Sequence, residues 1–408
     1  MPDILWPGDH HAGEILTDAT ILDAMVQVES AWSAALVTAG IAPADAVLSA
    51  DALRGLIADG DLEGIAEEAE SGGNPVIPLV RRLRDGLGSS AAGMWLHRGL
   101  TSQDVMDTAL MLCVAEGFDA VRIELDAQVE VLRQLADGHR RTMMPARTLT
   151  QHAVPMTFGL KAAQWLRGVL EAREQVAGLA FPVQMGGAAG TSAAAAELSG
   201  RGADAAPVAV RAGAIAADIL GLAPVAPWHS VRTAVTRSGD AAVGCSDAWG
   251  HIANDVLVLS RPEIGELSEG SGGSSSTMPH KANPVLSVLI RRAALSAPPL
   301  GATLHQAAAD ATDERTAGAW HVEWDALRTL VRRAVVAARQ TSRLVAELHV
   351  HGDRMQANLA DAGAAVTSEQ ESMSRIAGHT PTPEYLGATQ HYIDAQLARA
   401  RRVTTEGA

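Results

Sequence analysis

Residues 270 to 284 read GSGGSSSTMPHKANP, a serine-rich lead followed by Lys281, Asn283 and a proline that opens a helical pattern. Hydroxyls, one cation and one amide on a small-residue loop are the groups an enzyme closes over a carboxylate, excluding water so that each polar contact counts more. A plain flexible linker has the same composition. Three other segments gather Gly, Ser and Thr between apolar runs: GLTSQD at 99 to 104, RTLTQHAVP at 147 to 155 and QMGGAAGTS at 184 to 192. Small residues allow close backbone approach, and a loop feeding a helix start presents free amides to an anion. Thr101 and Ser102, with those amides, form a carboxylate cradle, although ordinary N-capping uses the same residues. His97 reads as a binding group or as a partly buried structural histidine, and Gly186, Gly187 and Thr191 also suit a tight turn. His152 can bind a carboxylate or donate a proton, with binding or structural support the better reading.

Long helices must position these segments. Thr17 and Asp18 are good N-caps, and Ile21, Met25, Val28, Trp32, Leu36 and Ala39 then recur every three or four positions until Gly40. A second helical pattern runs from Val105 to about Asp137. Pro155 reads as a first-turn proline before a run to about Ala180. Others cover Trp228 to Ser260, Pro284 to about Leu295 and His321 to about Leu348. No comparable series of alternating strand patterns appears. The expectation is an all-α protein: an N-terminal helical domain over 1–92, an elongated bundle with the catalytic loop over 93–348, and a short C-terminal helical domain over 349–408.

Composition agrees. The 408 residues are 47% hydrophobic with only 3 Phe, 8 Trp and 2 Tyr, so Ala, Leu and Val must fill the core. A net charge of -15 argues against nucleic acid or an anionic membrane as partner, and an anionic ligand must meet a local basic site. Cys113 and Cys245 have no metal-ligand spacing, which predicts neither a disulfide framework nor a metal. The N-terminal MPDILWPGDHH lacks a basic lead and apolar core, and the apolar stretch from Pro207 to Trp228 is broken by Arg211 and Asp218. A cytoplasmic protein is expected.

SSSTMPHKANP resembles the signature loop of the fumarase/aspartase superfamily, with Ser274 where a glycine usually stands. The resemblance implies that Ser275 is the catalytic serine, followed by Ser276, and that Lys281 serves catalysis and, with Asn283, substrate binding. His97 and Thr101-Ser102-Gln103-Asp104 resemble a second conserved region, RTLTQHAVP with Arg147, Gln151 and His152 a third, and Gly186-Gly187 with Thr191 the glycine-rich turn. Lyases of the superfamily usually carry a histidine two residues after that arginine, as general acid for an amine or hydroxyl leaving group. Here the place is Leu149, which cannot transfer a proton. A carboxylate leaving group needs no such acid, because its conjugate acid has a pKa of about 4.

HRGLTSQDVMDTA, QMGGAAGTSA, PWHSVR and DERTAGAWHVEWDAL at 313 to 327 are similar to the bacterial 3-carboxy-cis,cis-muconate cycloisomerase branch, including Arg315, Trp320, His321, Glu323 and Trp324. That branch implies lactonisation of a tricarboxylate in protocatechuate breakdown, through an aci-carboxylate-like intermediate held by Lys281, Asn283, Arg315 and amides near Thr101 and Ser102, with His321 also binding. It further implies a homotetramer with sites shared between subunits. No step needs a metal, nucleotide or redox cofactor. Rival expectations are an adenylosuccinate or argininosuccinate type of lyase, which Leu149 weakens, and a non-catalytic helical scaffold. After Asn358 the chain is shorter than most members and departs from their pattern.

Overall fold

The computed structural model describes residues 3–58, 60–270, 273, 278 and 282–406. Thr17 caps the first long helix, α1 (Asp18–Thr38), its hydroxyl accepting from the Thr20 N–H at 3.3 Å. Five more long helices follow: α2 (Ser102–Gly138), α3 (Phe158–Ala177), α4 (Thr233–Leu259), α5 (Val285–Ala309) and α6 (Ala319–Ala346). With 37 residues α2 is about 55 Å long at 1.5 Å per residue. The chain is 68% helical, and the all-α expectation holds.

Cross-links fix the helix directions. Near the start of α2, Asp107 receives hydrogen bonds from Arg232, just before α4, and from Trp320 at the start of α6. Further along, Gln128 of α2 accepts from Trp249 of α4 at 2.8 Å and donates to the Ala338 carbonyl of α6 at 3.0 Å. Those three helices therefore run parallel. Lys161, early in α3, meets Asp255, late in α4, at 3.1 Å, so α3 runs the opposite way, and α5 returns antiparallel between α4 and α6. One contiguous buried cluster, mostly Ala, Leu and Val, extends from Trp6 to Val403. Close helix approach needs glycine in places: a Cβ on Gly250 of α4 would stand 2.6 Å from the Ala294 Cβ of α5.

Three expected boundaries shift. Pro155 does not open a helix. It lies in β2 (Gln151–Thr157), which pairs antiparallel with β1 (Met143–Thr148), and α3 begins only at Phe158 behind the Thr157 cap. Proline's fixed φ and missing N–H suit a strand margin as well as a first helical turn, and here Pro155 stands opposite Pro145. The run from Trp228 becomes helical only at Thr233, because the Trp228 N–H and indole are committed to Gln184 and Val183. Conversely, α5 continues through Pro298 and Pro299 to Ala309, held by packing on both neighbouring helices. The last helix, Thr389–Glu406, returns to the bundle and buries Ile393, Leu397 and Ala400. Among the described residues no helix is long and apolar enough to cross a membrane.

Candidate active site

Asp104 organises one end of the bundle. Its fully buried carboxylate accepts from the Thr101 N–H (2.9 Å), the Gly186 and Gly187 N–H groups (2.9 and 2.8 Å) and His229 Nε2 (2.9 Å). One side chain thus pins the start of α2, the glycine-rich turn and the PWHSVR segment together. A turn later, Asp107 takes two bonds from Arg232 (2.7 and 2.9 Å) and one from the Trp320 indole (2.9 Å), while Arg232 also bonds Glu323 at 2.6 and 3.0 Å. Burial works against the Arg232 charge, but Asp107 and Glu323 hold it firmly protonated. Glu323 is pushed above the ordinary carboxylate range, its burial outweighing the pull of Arg232. Such a buried, fully paired network fixes geometry more than it adds stability.

Against this frame sit four of the residues expected to bind substrate. His97 adopts a left-handed backbone (φ 60°), and its Nδ1 donates to the buried Glu29 carboxylate at 2.6 Å. Burial disfavours the imidazolium, yet the charge and hydrogen bond of Glu29 outweigh it, so His97 titrates above the ordinary 6.5. Arg315 donates to the Thr101 hydroxyl, bringing the α5–α6 connection to the start of α2. Ser102 and His97 line a cavity of about 370 Å³ together with Arg81 and Arg84.

Gln103 is turned away from this cavity: its fully buried amide donates to the His229 carbonyl at 2.9 Å, because its place on α2 faces the interior. His321 donates to the Gly73 carbonyl at 2.9 Å and lines a separate apolar cleft with Trp324. Thr191 is exposed on the turn below Gly190.

The other expected residues gather at the far end of α2. Arg147 makes two bonds to the buried Glu266 at 2.7 and 2.9 Å, and Glu266 also accepts from Asn358 at 2.8 Å. The guanidinium thus anchors the β1–β2 hairpin, with His152 opposite it in register and exposed, and both line a cavity of about 590 Å³ with Lys161. Leu149 and Thr150 form the two-residue turn, both with positive φ (47° and 71°), as a tight hairpin's twist demands although neither is glycine. Leu149 is 96% exposed at the tip, and Gln151 beside it is exposed too. Asn283 pairs with Gly273 through two backbone bonds at the foot of α5. Ser274, Ser275, Ser276 and Lys281 lie outside the described residues.

Sequence reasoning passed over Glu29, Arg84, Glu266 and Glu269. Glu269 caps α5, accepting from the Ser287 N–H at 2.7 Å and its hydroxyl at 2.6 Å. Glu29 left a visible signal, a carboxylate on the apolar stripe of α1 between Met25 and Trp32.

The family described as Lyase matches residues 9–298. The chain is 43% identical to a nitrosuccinate lyase of Streptomyces davaonensis, over 87% of this chain and 76% of that protein. It is 36% identical to a 3-carboxy-cis,cis-muconate cycloisomerase of Bradyrhizobium diazoefficiens, over 84% and 75%. Its fold matches the crystal structure of a 3-carboxy-cis,cis-muconate lactonizing enzyme from Pseudomonas putida with a TM-score of 0.84 and 28% identity, covering 96% of this chain and 97% of that one. Extended matches in sequence and fold, with the Thr101, Gly186 and Asn283 segments in the expected chain order, place this chain in the lyase family of the fumarase/aspartase superfamily.

Proposed function

We propose that this lyase-family enzyme works on a substrate whose leaving group departs as a stable anion, and that its reaction is lactonisation of 3-carboxy-cis,cis-muconate. Leu149 carries the first part of this reading, the anionic leaving group. It occupies the hairpin tip where related lyases usually hold an acid, and leucine has no proton to give. In the proposed reaction a substrate carboxylate oxygen bonds to an alkene carbon. The alkene electron pair moves toward the neighbouring carboxyl group, and the carbon beside that group takes a proton, so the product is an isomer. Ser275 carries the proton, while Lys281, Asn283, Arg315 and the amides near Thr101 hold the developing charge. The cycloisomerase relatives and the lactonizing-enzyme fold support this choice.

The 43% identity to a nitrosuccinate lyase favours a second reading, elimination of nitrite from nitrosuccinate to leave fumarate. Nitrite is also a weak base that departs without an acid, so Leu149 suits both reactions. Parallel incubations separate them: ultraviolet and NMR detection of a lactone supports the first, and nitrite with fumarate supports the second.

The proposed assembly is a homotetramer. The Thr101–Arg315 group and the Asn283–hairpin group stand at opposite ends of a helix about 55 Å long, so a site built from both needs more than one chain. Arg315→Ala and Asn283→Ala, each inactive alone, should recover activity when co-assembled. An active monomer in light scattering would rule this out.

A further inference from the structure

Arg84, on the helix Val76–Leu87, donates from Nη2 to the Leu96 carbonyl at 2.8 Å. Its Nε is buried without a hydrogen-bond partner, and among the described residues no carboxylate forms an ion pair with it. Glu29, an acidic group close enough to act on it, bonds His97 through Oε1 and makes no ion pair with Arg84. Burial, with Arg98 nearby, makes the Arg84 charge harder to hold than an ordinary arginine's. A buried Nε without an acceptor carries a desolvation cost, and the rest of the guanidinium, only partly buried, stays open to a ligand.

The surroundings say what would relieve that cost. Arg84 lines the 370 Å³ cavity with His97 and Ser102, and Arg81, engaged with Glu68, adds positive charge. Asp85 is the acidic member of the lining. A planar anion with two oxygens fits a guanidinium fork in a way that a point charge or a neutral group does not.

We propose that Arg84 is a specificity-determining residue whose guanidinium receives an additional carboxylate of the substrate, in the cavity between the helix Val76–Leu87 and the start of α2. This deepens the tricarboxylate reading above and rests on it. With Lys281, Asn283, Arg315 and the amides near Thr101 assigned to the developing charge, a third carboxylate needs a further cation, and Arg84 supplies one on the His97 side.

Calorimetric titration of the full chain in its native assembly tests this without turnover, using tricarballylate and glutarate, which differ by one carboxylate. The wild type should bind tricarballylate about tenfold or more tightly than glutarate. Arg84→Gln, which keeps a donor for the Leu96 carbonyl, should bind the two alike, and Arg84→Lys should keep only part of the preference. Equal affinities in the wild type, or an undiminished preference in Arg84→Gln, would overturn the assignment. If circular dichroism shows Arg84→Gln unfolded, Arg84→Lys decides it, since an unchanged preference there is equally fatal. An Arg84-dependent preference in a protein that forms no lactone would sink the reaction and leave the subsite standing. Lactone formation with an unaltered KM in Arg84→Gln would do the reverse.

Discussion

Asp104 and His229, 125 residues apart in sequence, meet at 2.9 Å in the interior, and the same carboxylate holds the Gly186 and Gly187 amides. Removing it would leave three backbone donors and a ring nitrogen facing nothing. Asp104→Ala should therefore cost about 3 kcal/mol in urea unfolding and abolish most turnover. Combined with His229→Ala the losses should fall short of additive, because both substitutions break one hub. Strict additivity would show that Asp104 and His229 act independently.

Gly186 is the tightest point of that hub. A Cβ there would lie 2.7 Å from both His229 Cε1 and Pro227 Cβ. Gly186→Ala should lose about 1 to 3 kcal/mol through overpacking. Gly138→Ala, at the end of α2 with open space around it, should instead be neutral or gain up to about 1 kcal/mol. Thermal melts of the two variants compare them directly.

His97 gives the site a pH dependence with a defined sign. Its folded value is raised by Glu29, so its cationic contribution is complete below the ordinary 6.5 and is lost as pH rises through that raised value. Affinity for an anionic substrate should weaken over the same window. In Glu29→Gln the opposing effect of burial prevails, and the weakening should begin at lower pH. Superimposable profiles of kcat/KM for the two proteins would remove His97 as the titrating group.

Cys113 and Cys245 are buried, and burial pushes both thiols up to about 12. Neither should react with a thiol reagent in the native protein, and both should react after unfolding. Rapid native labelling would mean that α2 or α4 opens locally.

Local periodicity made the long helices and the Thr101 start of α2 legible, because caps and apolar spacing lie within a few residues of each other. Partnerships across the chain were not. Arg147 reads as a ligand-binding arginine, and its ion pair with Glu266, 119 residues later, has no local signature. Gln103 belongs to a motif that looks wholly exposed to ligand, yet helix phase turns it toward His229. The β1–β2 hairpin was hidden because its turn uses Leu149 and Thr150 where Asn-Gly would have announced it. Arg84 carried no signal at all, since an unpaired charge is defined by what the fold fails to bring near it.

The central claim is that no leaving-group acid operates, and the product of the unmodified enzyme tests it most directly. Purified protein is given 3-carboxy-cis,cis-muconate and, separately, adenylosuccinate and argininosuccinate, with products identified by NMR. The account predicts a lactone from the first and no fumarate from the other two. Replacing Leu149 by Met should preserve much of the lactonisation, and Leu149→His should not increase it. Robust fumarate release from either amine-bearing substrate would contradict the account, because a group that needs a proton to leave would have found one.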